Sequence, residues 1–356
     1  MALAFRVIDT GLREGRSNIA FDEAMIELHR AGEIPDTIRF LRFEPSALVG
    51  RHQAIGRELN VEYCRDNGIG LVRRITGGGA IYLDPGQLGW ELVISRARLP
   101  LPTLAAYATR ICESAADGLA RTFGIDARFR PRNDIEVDGR KISGTGGFFD
   151  GDTLFYQGTV LIDADPSRVM AALNVPRAKL EKHGLDRPES RIVTLKELLG
   201  QAPEVATVQR ALIDGLALGL GLDAIAGESL EVEERRATEL HDADIGRDAF
   251  VFEIDARDAR EALSASVQSA GGTVHAALRI EGEGGARRIR EALITGDFFV
   301  TPPRLVMDLE AKLRGVQIDE AGAAVMQFFA ACQPDLISIA PSDFRDAVEA
   351  ALTGSN

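Results

Sequence analysis

Arg73-Arg74-Ile75-Thr76-Gly77-Gly78-Gly79-Ala80-Ile81-Tyr82-Leu83-Asp84 joins a pair of arginines to a run of glycines. Three consecutive glycines leave a strip of backbone without side chains, so its N–H groups can approach a phosphate closely. The arginines before them add charge and planar donors, a combination suited to an acyl phosphate. On glycines alone, a turn between two strands fits as well. No Gly-Lys-Ser/Thr follows, and no Gly-x-Gly-x-x-Gly opens a helix, which excludes a Walker loop and a Rossmann fingerprint.

Working outward, residues 70–75 read as a strand running into the glycines, after a predicted strand at 37–43. Downstream lies Arg132-Asn133-Asp134-Ile135-Glu136-Val137-Asp138-Gly139-Arg140-Lys141-Ile142-Ser143-Gly144, where Asp138-Gly139 signals a tight hairpin. That hairpin brings the amide of Asn133, the carboxylate of Asp134 and the ammonium of Lys141 around one ligand. Asp134 suits Mg²⁺ or a nucleotide group, and Lys141 suits charge neutralisation where phosphate meets an acyl carbonyl. A solvated charged hairpin is the alternative. A third segment, Tyr156-Gln157-Gly158-Thr159-Val160-Leu161, has the pattern of a buried strand.

With 356 residues the chain exceeds the roughly 250–300 at which one core stops growing, so a large and a smaller domain are expected. Helices are predicted at about 103–123, at 204–219, from a cap at Ser17-Asn18, and from Asp165-Pro166. Between Gly227 and Gly246 the sequence turns acidic and its apolar residues thin out. The expected division is therefore a domain over 1–226, an acidic linker over 227–247 and a C-terminal α/β module over 248–356. In that module strands are predicted at 250–254, 274–280 and 294–298, and helices at about 257–269 and 304–313.

The net charge of −13 argues against nucleic acid held through a broad surface field. No segment approaches the roughly 18 uninterrupted apolar residues of a membrane helix, and the N-terminus lacks a signal-peptide pattern, so no membrane partner and a cytoplasmic location are expected. Cys64, Cys112 and Cys332 lie far apart with no ligand spacing and read as buried thiols. Lysine is scarce: Lys141, Lys179, Lys182, Lys196 and Lys312 are the five among 41 basic residues, which draws attention to Lys141.

In order and spacing, these three segments resemble the lipoate-protein ligase branch of the biotin/lipoate ligase and octanoyltransferase superfamily. That branch has Arg-Arg-x-Ser/Thr-Gly-Gly-Gly-Ala, then Arg-Asn-Asp with Gly-Arg-Lys-x-Ser-Gly, then a Gly-Thr-Leu-Leu strand. The likeness extends to Phe43-Glu44-Pro45, Val49-Gly50-Arg51-His52-Gln53, Asp165, Ser167-Arg168, Ser190-Arg191 and Val193-Thr194, covering about residues 5–220. The segment Gly296-Asp297-Phe298-Phe299 is similar to the accessory domain of such ligases.

The resemblance implies an α/β (α+β) fold, a mixed sheet flanked by helices with a smaller C-terminal α/β domain. It implies ATP-dependent activation of lipoate or octanoate to the acyl-adenylate and transfer to a lysine of an acceptor lipoyl domain or small lipoate-carrier protein. Lys141 is then the catalytic cation. Arg73, Gly77, Gly78, Gly79, Ala80, Ser143, Gly144, Gly158 and Thr159 bind the acyl-adenylate. Arg73, Tyr82, Asn133, Asp134 and Lys141 serve ATP, with Asp134 on Mg²⁺. Departures stand at Leu83, Gln87 and Tyr156-Gln157, where the family often has His, Asn and His-His. The competing readings are an ATP-independent octanoyltransferase working through a cysteine nucleophile, a biotin ligase, and a non-catalytic lipoate or nucleotide sensor.

Overall fold

The computed structural model describes residues 3–131, 133–174, 191–258, 262–332, 334–336 and 338–353. Arg132, Lys179, Lys182 and Ser190 lie outside them.

An eight-stranded mixed sheet runs through the larger part of the molecule in the order β11-β1-β2-β6-β10-β9-β8-β7. Its strands are β1 (Leu3–Arg13), β2 (Thr37–Phe43), β6 (Gln87–Ser95), β7 (Ala127–Arg130), β8 (Asp134–Val137), β9 (Arg140–Asp150), β10 (Thr153–Leu161) and β11 (Leu222–Ala226). The turns at Asp138-Gly139 and Asp150-Gly151 join β8 to β9 and β9 to β10, as the Asp-Gly pairs predict; Asp138, Gly139 and Gly151 all have positive φ. A small sheet, β3 (Ser46–Val49) between β4 (Gly70–Arg73) and β5 (Ile81–Leu83), stands beside it and carries the triglycine loop between β4 and β5.

Helix α3 (Pro166–Ala172) follows β10, and one face of the large sheet is covered by helices α2 (Leu104–Phe123) and α4 (Val205–Leu220). These approach closely because Gly118 on α2 meets Gly215 on α4, where added Cβ atoms would strike the opposite backbone. The other face is covered at one end by α1 (Gly15–Arg30) and open at the other. The α1 cap differs from the expected Ser17-Asn18. Glu14 caps it by accepting from the Ser17 amide, and Asn18 is buried one turn inside, donating to the Arg42 carbonyl.

The acidic stretch is not an unpacked linker. It holds α5 (Glu231–Leu240), whose Val232, Ala237 and Leu240 pack on the core that α1 also covers. Its acids neutralise arginines of the large sheet: Glu233 is fully buried on Arg6, and Glu234 lies 2.7 Å from Arg13. The low apolar content was real, but these ion pairs and one narrow apolar stripe suffice to dock the helix.

In the C-terminal module, an antiparallel sheet of β12 (Leu263–Ser269), β13 (Gly272–Glu281) and β14 (Arg288–Gly296) packs on α7 (Leu305–Leu313), α8 (Ala321–Cys332) and α9 (Pro341–Thr353). Two expectations are corrected. Residues 263–269, placed in a helix, form a strand whose exposure alternates, the period of two that Leu263, Ala265 and Val267 write into the sequence. Residues 250–254, placed in a strand, begin in a helical turn, α6 (Asp248–Val251); an apolar run this short fits either. No helix among the described residues is long and apolar enough to cross a membrane.

Candidate active site

The open face of the large sheet, the small sheet and the triglycine loop enclose a cavity of about 320 Å³. Its apolar walls come from Ile19 of α1, Leu41 and Phe43 of β2, Leu48 of β3, and Ile81 and Leu83 of β5. Gln87, Gly89 and Glu91 of β6, Gln157, Gly158 and Thr159 of β10, and Asn133, Lys141 and Gly144 on the β8–β9 side complete it. The three segments singled out in the sequence therefore converge on one space.

The charged end is built by the β8–β9 hairpin. Pairing of Asp134 with Gly144 brings Lys141 back along the strand, and its Nζ lies 2.7 Å from Asp134 Oδ1. The lysine side chain crosses Gly144: a Cβ there would meet Nζ at 2.5 Å, so glycine makes the crossing possible. The Asn133 amide donates to the Thr145 carbonyl at 3.0 Å, and the Thr145 amide donates to the Asn133 carbonyl at 2.8 Å. Asn133 and Lys141 both face the cavity, and Asp134 reaches it through Lys141.

The two arginines diverge. Strand alternation sends them to opposite sides, so both cannot serve one ligand. Arg73 is fully buried away from the cavity. Its Nε donates to the carbonyls of Phe250 and Val251 at 3.2 and 3.1 Å, and its Nη1 to that of Gln53 at 2.6 Å. Arg74 lines the cavity instead and holds the loop shape by donating to the Gly79 carbonyl at 2.7 Å.

The triglycine loop is also committed differently from a bare phosphate cradle. The Gly78 amide donates to the Phe298 carbonyl at 2.9 Å, and a Cβ on Gly77 would collide with that same carbonyl. The Phe299 ring lies over Gly78 and Gly146, where added Cβ atoms would come within 2.6 Å of its Cζ, and it lines the cavity. Glycine at 77, 78 and 146 thus admits a segment of the C-terminal module. His52, stacked on Phe298 at 5.4 Å, is buried there; burial, then the neighbouring Arg51 and Arg73, push its pKa down to about 3.

Gly79, Ala80 and Tyr82 line the cavity; Ser143 is buried outside its wall. Gly158 is glycine because its other side rests on the Trp90 ring. Of the departure positions, Leu83, Gln87 and Gln157 face the cavity. Tyr156 points to the helix side of the sheet, its hydroxyl 2.7 Å from Thr145 Oγ1 and 3.3 Å from Cys112 Sγ. Burial pushes the Cys112 thiol up to about 11, and Cys64 is likewise buried and raised; Cys332, read as buried, is exposed at the end of α8. Among the described residues no group of three His, Cys, Asp or Glu could hold a metal ion.

Sequence reasoning missed Arg74, Glu91 and Phe299 as cavity residues. Alternation along β4 was the available signal for Arg74. Phe299 had none, since its approach depends on how the C-terminal module docks.

Residues 14–217 match the family model described as the lipoyl protein ligase A/B catalytic domain. The chain is 30% identical to an octanoyltransferase LipM of Kyrpidia tusciae over 66% of this chain and 93% of that protein. It is 31% identical to the lipoate-protein ligase LplJ of Bacillus subtilis over 53% and 55% of the two chains. A bipartite lipoate protein ligase of Thermoplasma acidophilum, solved in a study of it and its E2 lipoyl domain, superposes with a TM-score of 0.61 at 27% identity, covering 71% of this chain and 96% of that one. A lipoate-protein ligase A bound with ATP gives 0.61 at 25% identity over 71% and 99%. The fold of the whole chain, C-terminal module included, matches LipL1 of P. falciparum with a TM-score of 0.75 over 99% of both chains, at 16% identity. The chain belongs to the lipoyl protein ligase A/B catalytic domain family.

Proposed function

We propose that this enzyme activates lipoate or octanoate with ATP and transfers the acyl group from the adenylate to a lysine of an acceptor lipoyl domain or small lipoate-carrier protein. The observation that carries the reading is the placement of Lys141, an ammonium beside Asp134 and Asn133 at the charged end of an apolar-walled cavity. When a carboxylate attacks the α-phosphate of ATP, two anions must be held together, and Lys141 offsets their repulsion. In the second step the acceptor amine attacks the mixed anhydride, and the same ammonium stabilises the oxyanion. Lys141 gives up its contact with Asp134 to do so. Asp134 would then offer one carboxylate to a Mg²⁺ ion, which would supply charge neutralisation to the phosphates of ATP. Arg74, with Gly79 and Ala80, lies on the loop side of the same end.

In this reading residues 1–226 form the catalytic domain, α5 and its flanks over 227–247 the joint, and 248–356 an accessory module that closes the glycine loop through Phe298 and Phe299. The similarity to octanoyltransferases supports a second reading, direct octanoyl transfer from a carrier protein without ATP. That chemistry needs an accessible thiolate at the acyl carbonyl. Cys64 and Cys112 are buried with raised pKa values, and Cys332 lies on α8, so the ligase reading is preferred. The test is mass spectrometry of an acceptor lipoyl domain incubated with enzyme, lipoate, ATP and Mg²⁺. An ATP-dependent lipoyl mass increase is expected; acylation only from an octanoyl carrier protein, with ATP irrelevant, supports the second reading.

A further inference from the structure

The row of residues crossing the sheet beneath the cavity is uneven in chemistry. Arg39 of β2 pairs with Glu91 of β6, Glu91 with Gln157 of β10, and Gln157 with Gly146 of β9. The next row on that face runs Leu41, Gly89, Thr159. With strands roughly 4.8 Å apart, Glu91 lies about 10 Å across the sheet from Gly146 of β9, and the Lys141 side chain reaches back over Gly144, two residues along that strand, which leaves a span on the order of an extended medium-chain acid. An acid whose carboxyl sits at Lys141 brings its tail to β6 and β2. There the apolar wall of Ile19, Leu41 and Leu48 is interrupted by one carboxyl group, Glu91.

That group is held in place rather than left to solvent. Arg39 Nη1 donates to Glu91 Oε2 at 3.0 Å and to Asp22 Oδ1 at 2.6 Å, while Nη2 donates to Asn18 Oδ1 at 2.7 Å. All four side chains are buried. One guanidinium balances one of two carboxylates, so the pair retains a proton. Burial first, and for Asp22 the charge of Glu91 next, raises both acids, and Asp22 is raised well above its ordinary value. The two acids share that proton, and Arg39 holds Glu91 by its Oε2 at 3.0 Å. A carboxylate has about four acceptor sites. Arg39 and Asp22 occupy part of that capacity, and Glu91 faces the cavity with the remainder.

We propose that Glu91 is a specificity-determining residue, favouring medium-chain acids that carry a hydrogen-bond donor on the tail, a hydroxyl or thiol, over the plain alkyl acid. The inference rests on the acid-binding role of the cavity set out above. A plain alkyl tail packed against Glu91 leaves its remaining acceptor capacity unmet, whereas a donor fills it. Sites built to bond a polar atom reject analogues lacking it more strongly than apolar pockets reject an added one.

The experiment is calorimetric binding of octanoate and of octanoate with a terminal hydroxyl to the full chain without nucleotide, in wild type, Glu91→Leu and Glu91→Gln. Removing Glu91 leaves Arg39 paired one-to-one with Asp22, so the leucine variant is expected to fold, and its melting temperature checks this. Wild type is expected to bind the hydroxy acid about 10-fold tighter than octanoate. Glu91→Leu should reverse the order, and Glu91→Gln, which keeps an acceptor oxygen, should restore part of it. If both acids bind but their ratio is the same in wild type and Glu91→Leu, the proposal is overturned while the acid site stands. If wild type binds neither, the acid site itself fails and the proposal with it. Should the leucine variant not fold, the glutamine variant and the wild-type ratio decide: a wild type that does not favour the hydroxy acid overturns the proposal.

Discussion

The Gly78 amide donates to the Phe298 carbonyl across 2.9 Å, so the centre of the triglycine loop is tied to the C-terminal module. Glycine is needed at 77 for the same contact, since a Cβ there would run into the Phe298 backbone. Gly79, by contrast, has Asp297 Cβ as its nearest neighbour at 3.7 Å, an ordinary contact. Gly77→Ala is therefore expected to destabilise the protein by about 1–3 kcal/mol by displacing the Phe298–Phe299 segment. Gly79→Ala should stay within about 0.5 kcal/mol of wild type. Urea denaturation of the two variants compares them directly, and equal losses would count against loop docking as the reason for glycine at 77.

Arg73 supports the joint between the two modules and does not line the cavity. Its replacement by Met leaves the carbonyls of Phe250, Val251 and Gln53 without this donor. A loss of about 3 kcal/mol is expected, with the KM for the acid little changed. Arg74→Met should act in the opposite sense, raising KM and moving stability less. Thermal melts and steady-state kinetics on both variants test the exchange of roles.

Burial holds the Cys112 thiol at about 11, hydrogen-bonded with Thr145 and Tyr156 on the helix side of β9 and β10. Cys112→Ser is expected to retain activity within about threefold, and iodoacetamide should leave the wild-type rate unchanged. Loss of acyl transfer on alkylation would favour the thioester route.

His52 offers a pH test. Its folded pKa is depressed to about 3, so the unfolded chain binds a proton below pH ~6.5 that the folded joint does not. The stability this group confers is complete above that pH and is lost as pH falls toward 3. Wild type should lose about 2 kcal/mol between pH 7.5 and 5 that His52→Phe, which retains the stack on Phe298, does not lose. Parallel stability curves for the two proteins would show that His52 is not the group responsible.

Much of the catalytic half was legible because its elements are long and periodic. The helix over 104–123, the strand leading into the glycines and the two Asp-Gly hairpins follow from local pattern alone, and the hairpin register carries Lys141 back to Asp134. What local pattern could not show was contact made across the chain. The acids of 231–240 suggested a linker because their partners, Arg6 and Arg13, lie in the first strand. The glycines at 77 and 78 suggested a ligand because Phe298 and Phe299 arrive from another module. Arg73 and Arg74 look equivalent until strand alternation separates them. Glu91 drew no notice because a charged residue in a strand is ordinarily solvated, and only the sheet order places it under the cavity against Arg39.

The central claim, that Lys141 stabilises acyl-adenylate formation in this cavity, is tested most directly by isotope exchange between pyrophosphate and ATP, measured with and without lipoate or octanoate. Exchange is expected to require the acid and to fall on the order of 10²-fold in Lys141→Ala. Exchange that is absent with both acids, or unchanged in Lys141→Ala, would contradict it.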